Sequence, residues 1–342
     1  MFSLSRRMKK IKKMRPNIKV IYTGGTIGMV KSKDGHYVPA SLDRLLEYVP
    51  NLAEIGANLS FESFDKPLDS TFVGPNEWLE IAGVIRNQLQ QFDGFVVLHG
   101  TDTMAYTSSA LSFLLKGALK PIVITGSQIP ICEEGSDGVE NFYNALKIAS
   151  DGRVKEVALW FHKSLYKGAC VTKVDTKSMN GFSSPNHPVL AKLSSGIEYE
   201  NTDEKLEKSA FFLDKINNSI FVLNFTPGMD LNLVAQWLES NTFKGIILSA
   251  LGLGNLPIKI TDLIYKQLFK MKLPILVISD CLKGGVEIGK YEAGHALSAL
   301  NAISGGKMTK EAAVTKLMIA VANFNNEKDV RDYLIKNQVG EY

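Results

Sequence analysis

The sequence predicts an α/β fold: a larger N-terminal domain with a mostly parallel sheet covered by helices on both faces, plus a smaller α/β C-terminal domain. Two observations carry this. Short β-branched runs recur along the chain, each followed by a segment of helical periodicity, the pattern of strand–helix alternation. The runs are also continuously apolar rather than alternating, as expected of parallel strands buried on both faces. A polar, charged stretch from Leu193 to Asp214, "LSSGIEYENTDEKLEKSAFFLD", divides the array unequally.

In chain order, strands are predicted over Lys19–Tyr22, Gly94–His99, Pro121–Thr125 and Glu156–Phe161, with helices over Asn76–Gln91, Thr103–Lys116 and Val139–Ala149. Beyond the polar stretch come strands Ser219–Asn224, Gly245–Ala250 and Pro274–Ser279, with helices Leu231–Glu239, Thr261–Lys270 and Lys310–Ala322. The expected division is a basic tail at 1–17, an N-terminal domain at 18–192, a linker at 193–214 and a C-terminal domain at 215–342. No internal repeat is visible.

At 342 residues the chain is long enough for two cores, and 45% hydrophobic with 22% charged residues is ordinary for a globular protein. The net charge of +4 owes much to Arg6, Arg7, Lys9, Lys10, Lys12, Lys13 and Arg15, which have no acidic neighbour. This tail reads as solvated; a nucleic-acid contact or an organellar targeting segment are the sharper alternatives. No apolar core of a signal peptide follows it, and no window is long enough to span a bilayer. Cys132, Cys170 and Cys281 are scattered and odd in number, with no histidine in zinc spacing. Neither a disulfide framework nor a structural metal is indicated. A reducing, cytoplasmic setting is expected, with no membrane or nucleic-acid partner.

Sites in open α/β sheets lie beyond the carboxyl ends of strands. Three such ends place glycine beside a hydroxyl: Thr23-Gly24-Gly25-Thr26, His99-Gly100-Thr101-Asp102-Thr103 and Thr125-Gly126-Ser127-Gln128. The first matches neither the dinucleotide fingerprint nor the P-loop, since its glycines have the wrong spacing and no lysine follows. A nucleophile is the better reading, with Thr26 as a helix N-cap the bland one. A threonine hydroxyl needs a partner to take its proton. His36, His99, His162, His187 and His295 form no serine–histidine–acid pattern, so lysine or tyrosine is considered as the activating group. Thr101-Asp102 offers a second hydroxyl beside an acid, and "GACVTKVDT" offers Lys173, although most lysines are simply solvated.

Taken together, "YTGGTIGM", "HGTDTMAYTSSALSF", "PIVITGSQIP", "SDGVENFYNAL", "LYKGACVTK" and "GLGNLP" resemble, in order, the blocks of the bacterial-type L-asparaginases, most closely the cytosolic type I enzymes. The likeness runs from about Lys19 to the last helices. It implies Thr26 as primary nucleophile, Tyr37 as a mobile-loop tyrosine assisting it, and Thr101, Asp102 and Lys173 as a second constellation that orders the attacking water. It further implies that Asp69, Ser70 and Thr71 grip the substrate α-carboxylate, that Asp102 faces its ammonium, and that Ser127 lies beside the scissile amide. Backbone groups near Gly25 and Gly100 become candidate oxyanion donors. No cofactor or metal is implied. A homodimer or dimer-based homotetramer is implied. The expected activity is hydrolysis of L-asparagine; the alternatives are a glutaminase–asparaginase, a silent amino-acid-binding regulator on the same fold, and an amide-transfer subunit acting on charged tRNA.

Overall fold

The computed structural model describes residues 15–200, 210–239, 242–268, 273–290, 297–298 and 300–342; the basic tail up to residue 14 and residues 201–209 of the predicted linker lie outside them. The first strand, β1 (Asn17–Gly24), is followed by a hairpin of β2 (Met29–Lys31) and β3 (Tyr37–Pro39), and by a short helix α1 (Leu42–Leu46). Then come β4 (Asn58–Leu68), α2 (Pro75–Gln88), β5 (Gly94–Leu98), α3 (Met104–Leu114), β6 (Ile122–Thr125), α4 (Gly138–Asp151) and β7 (Val157–Phe161). Five short strands complete this half: β8 (Ser164–Lys167), β9 (Thr172–Lys173), β10 (Phe182–Ser183), β11 (Ala191–Leu193) and β12 (Ile197–Tyr199).

Eight of these strands form one sheet in the order β12-β11-β8-β7-β6-β5-β1-β4. The five from β7 to β4 run parallel, and β8, β11 and β12 extend the edge as antiparallel hairpins. Thus residues 193–199, expected in the linker, pair as a strand turn on this sheet. Side chains alternate between two cores, because successive strand residues face opposite ways. Ile21, Phe95 and Val97 pack with α2 and α3, while Val20, Tyr22, Val96 and Leu98 pack with α4 and Leu45 of α1. Helices therefore cover both faces.

The smaller sheet is all parallel: β13 (Ile220–Asn224), β14 (Gly245–Ala250), β15 (Ile275–Ser279) and β16 (Ile303–Ser304). Its helices are α5 (Leu231–Glu239), α6 (Ile258–Leu268), α7 (Lys310–Asn323) and α8 (Glu327–Ile335). Leu276 of β15, Ala312 and Leu317 of α7, and Leu111 of α3 belong to a single apolar cluster, so α7 joins the two halves. Among the described residues no helix is long and apolar enough to cross a membrane.

Candidate active site

The carboxyl ends of β1, β4 and β5 converge so closely that side chains are excluded. Gly25 adopts φ of +86°, and a Cβ there would lie 2.1 Å from the Gly100 nitrogen. A Cβ on Gly100 would meet the Ser70 hydroxyl at 2.6 Å. Gly25 N–H donates to the Leu68 carbonyl at 2.8 Å, closing the gap between β1 and the end of β4. The two glycines after β1 thus serve backbone contact. Immediately beyond them, Thr26 opens a one-turn 3-10 helix, Thr26–Gly28, half-buried between the buried Gly25 and Ile27.

Lys173, on β9, reaches the second turn. Its ammonium donates to Thr101 Oγ1 at 2.9 Å and to Asp102 Oδ1 at 2.7 Å. Thr101 is buried, the Lys173 side chain is 17% exposed, and the Asp102 side chain is 58% exposed. Ser70 ties this turn to the end of β4: its hydroxyl accepts from Asp102 N–H at 3.3 Å and its carbonyl from the Thr103 hydroxyl at 2.7 Å. Asp69 caps its own turn, accepting from Thr71 N–H and hydroxyl at 2.8 and 2.9 Å. Ser70 is buried while Asp69 and Thr71 stay accessible.

Behind the turn lies a relay whose direction follows from its ends. The Gly100 carbonyl can only accept, so His99 Nδ1 carries the proton at 2.7 Å. His99 Nε2 then accepts from the Thr107 hydroxyl at 2.9 Å, which in turn accepts from Trp78 Nε1 at 3.0 Å. Complete burial depresses the imidazole pKa from 6.5 to about 4, so the ring is neutral at physiological pH.

At the end of β6, Ser127 is buried and its hydroxyl has no partner among the described residues. The following loop is anchored by Asp137, which accepts from Gln128 and Ile129 N–H and from Asn141, just ahead of α4. Gln128 donates to the Ser178 carbonyl at 3.0 Å, linking this loop to the one that follows β9. Tyr37 stands on the β2–β3 hairpin, 43% exposed, with Lys31 Nζ 5.5 Å from its ring centroid. Among the described residues no hydrogen bond joins it to Thr26, so the structure brings Thr101, Asp102, Lys173 and Ser70 together and leaves Tyr37 apart. The hairpin base is fixed, with Ala40 N–H on the Gly28 carbonyl at 2.9 Å, and Lys31 pairs with Glu133 at 2.9 Å. Sequence reasoning did not find His99, Asp137 or Gln128 as supports. Asp137 left one signal, an acid directly before a helix.

No group of three or more His, Cys, Asp or Glu side chains among the described residues could hold a metal ion. Residues 17–205 match the family described as Asparaginase, N-terminal, and residues 219–334 match the Glutaminase/Asparaginase C-terminal domain. The chain belongs to the asparaginase family of amidohydrolases. L-asparaginase 1 of Escherichia coli strain K12 is 36% identical over 333 residues, covering 96% of this chain and 98% of its own. The solved thermostable L-asparaginase of Thermococcus kodakarensis superposes with a TM-score of 0.88 at 30% identity, over 95% of this chain and 98% of that one. L-asparaginase I of Vibrio cholerae gives a TM-score of 0.85 at 32% identity, over 96% and 99%. Within this asparaginase-family chain, the turns at Thr26 and Thr101 fall inside the N-terminal match, and α7 falls inside the C-terminal one.

Proposed function

We propose that the chain hydrolyses the side-chain amide of L-asparagine to L-aspartate and ammonia through an acyl-enzyme on Thr26. The observation that carries this reading is Lys173 bound to both Thr101 and Asp102, on a turn packed backbone to backbone against the Thr26 turn. Thr26 Oγ1 attacks the amide carbon, the C–N bond breaks, and ammonia leaves with the proton released by the hydroxyl. Tyr37, on an exposed hairpin with a fixed base, swings over Thr26 to relay that proton. Water then attacks the ester and regenerates the Thr26 hydroxyl. Because Thr101 accepts from Lys173, its own O–H remains available to donate to that water.

Charge complementarity fixes the zwitterion. Asp102 spends one oxygen on Lys173 and leaves the other for the α-ammonium; the Asp69–Ser70–Thr71 turn receives the α-carboxylate. The N–H groups of Gly25 and Asp102 are committed to Leu68 and Ser70. We assign the oxyanion donors to the remaining N–H groups of the two turns, at Thr26, Gly100 and Thr101, each typically worth about 10²–10³ in rate. Ser127 lies beside the amide. We infer a cytoplasmic protein, consistent with three cysteines outside any disulfide.

Ammonia release from L-asparagine and L-glutamine, measured side by side, tests the assignment. Asparagine is expected to be clearly preferred, because an extra methylene displaces the amide carbon from Thr26, and about 1 Å of misplacement costs about 10²-fold. Equal efficiency would make the protein a glutaminase–asparaginase. Binding without ammonia from either would make it a silent amino-acid-binding protein.

A further inference from the structure

Lys173 sits on a weak element. Among the described residues, strand β9 has two residues and pairs only with the two-residue β10, in a ribbon separate from both main sheets, with Val171 and Phe182 packed into the main core. A lone two-stranded ribbon is marginal without packing against something larger. The position of the ammonium therefore depends on whatever ties this ribbon to the body of the molecule.

One such tie comes from the C-terminal half. The hydroxyl of Thr172, next to Lys173, lies 2.7 Å from Glu311 Oε1 across 139 residues of sequence. Glu311 stands in the first turn of α7, whose N-cap Thr309 accepts from Ala312 N–H at 3.2 Å. The same helix packs against α3, which begins three residues after Thr101. Lys173 and Thr101 are thus referenced to one base: Thr101 through α3, Lys173 through Thr172 and Glu311.

The carboxyl is held there at a cost. Glu311 is 8% exposed, and its Oε2 is buried without a hydrogen-bond partner among the described residues. Burial raises its pKa, against the lowering effects of its own backbone N–H, of the Thr172 and Thr309 hydroxyls and of Lys310. Packing alone would be served better by an apolar side chain, since an unpaired buried polar atom is destabilising. We propose that Glu311 is a positioning residue that sets the Lys173 ammonium against Thr101 by holding Thr172, so that the C-terminal half takes part in the site of its own chain. This rests on the catalytic role assigned to Lys173 above.

Steady-state kinetics on L-asparagine, with thermal unfolding measured in parallel, test it. Glu311→Ala and Thr172→Val should each lower kcat at least tenfold, the scale on which loss of an outer partner acts at metal ligands. KM should stay within about threefold, because the groups assigned to the zwitterion are untouched. The double variant should be no worse than the poorer single one, since both break the same tie. Glu311→Gln, which keeps an acceptor oxygen, should recover most of kcat. Thr172→Val is the arm that survives if Glu311→Ala fails to fold. A kcat within twofold of the parent in Thr172→Val, additive losses in the double variant, or no recovery in Glu311→Gln would each overturn the proposal. Lys173→Met serves as the separate control: if it keeps most of the activity, the role of Lys173 is wrong, whereas an inactive Lys173→Met beside a fully active Thr172→Val removes only the positioning claim.

Discussion

His99 shows how one buried side chain can hold the Gly100–Thr101 turn from behind. Its Nδ1–H can donate to the Gly100 carbonyl in either protonation state, but Nε2 accepts from the Thr107 hydroxyl only while the ring is neutral, and burial keeps it so by lowering the pKa from 6.5 to about 4. The unfolded chain takes up this proton near pH 6.5 and the folded chain only near 4. Its contribution is therefore complete above about pH 6.5 and is lost as pH falls towards 4, amounting to about 3 kcal/mol across the window. Denaturant unfolding of the parent and His99→Asn at a series of pH values should show it: the parent loses stability faster between pH 6.5 and 4. Parallel curves would mean that His99 protonates freely in the folded protein. The Thr26, Thr101 and Asp102 positions were legible in the sequence because glycine and hydroxyl recur at strand ends. Lys173 was not, taken alone; its 2.9 Å approach to Thr101 depends on the fold of a two-residue strand that no periodicity window can detect.

Among the elements, α7 carries the most. Lys316 on this helix is fully buried, donating to the Leu334 and Lys336 carbonyls at 2.9 and 2.8 Å and to Glu341 Oε1 at 2.5 Å. Glu341 also accepts from Gln338 and Val339 N–H, so one ion pair folds residues 334–341 back onto the helix. Burial pulls the Lys316 pKa down and Glu341 opposes it. Glu341→Ala leaves the ammonium without its counter-charge and should cost about 3–5 kcal/mol of stability, read by denaturant unfolding. A loss below about 1 kcal/mol would show that the pair is dispensable. The parallel strands β5, β6, β7 and β14 were legible as unbroken apolar runs because both of their faces are covered. β4 was not: "NLSFESFDKPL" lies on the sheet edge, half-exposed, and its Glu62 pairs with Lys19 of β1 at 2.7 Å. That edge strand delivers Asp69, Ser70 and Thr71 to the site.

For the whole molecule, a larger and a smaller sheet were legible in the strand–helix alternation, but the contacts between the two halves were not. Contacts such as Thr172 to Glu311 join distant residues and leave no local pattern. The outer surface of the smaller half exposes Leu233 and Trp237, one turn apart on α5, and Ile258 on α6. Exposed large apolar side chains on two helices that touch each other are compatible with an association surface. With the dimer expected from the family resemblance, this leads us to predict a homodimer or dimer-based tetramer in light scattering at assay concentration; an active monomer would contradict it. The most direct test of the central claim is intact-protein mass spectrometry of enzyme quenched during turnover of L-asparagine. The account predicts an aspartyl adduct on the parent protein that maps to the peptide bearing Thr26, and neither adduct nor ammonia from Thr26→Ala. An adduct mapping to Thr101, or continued turnover by Thr26→Ala, would contradict it.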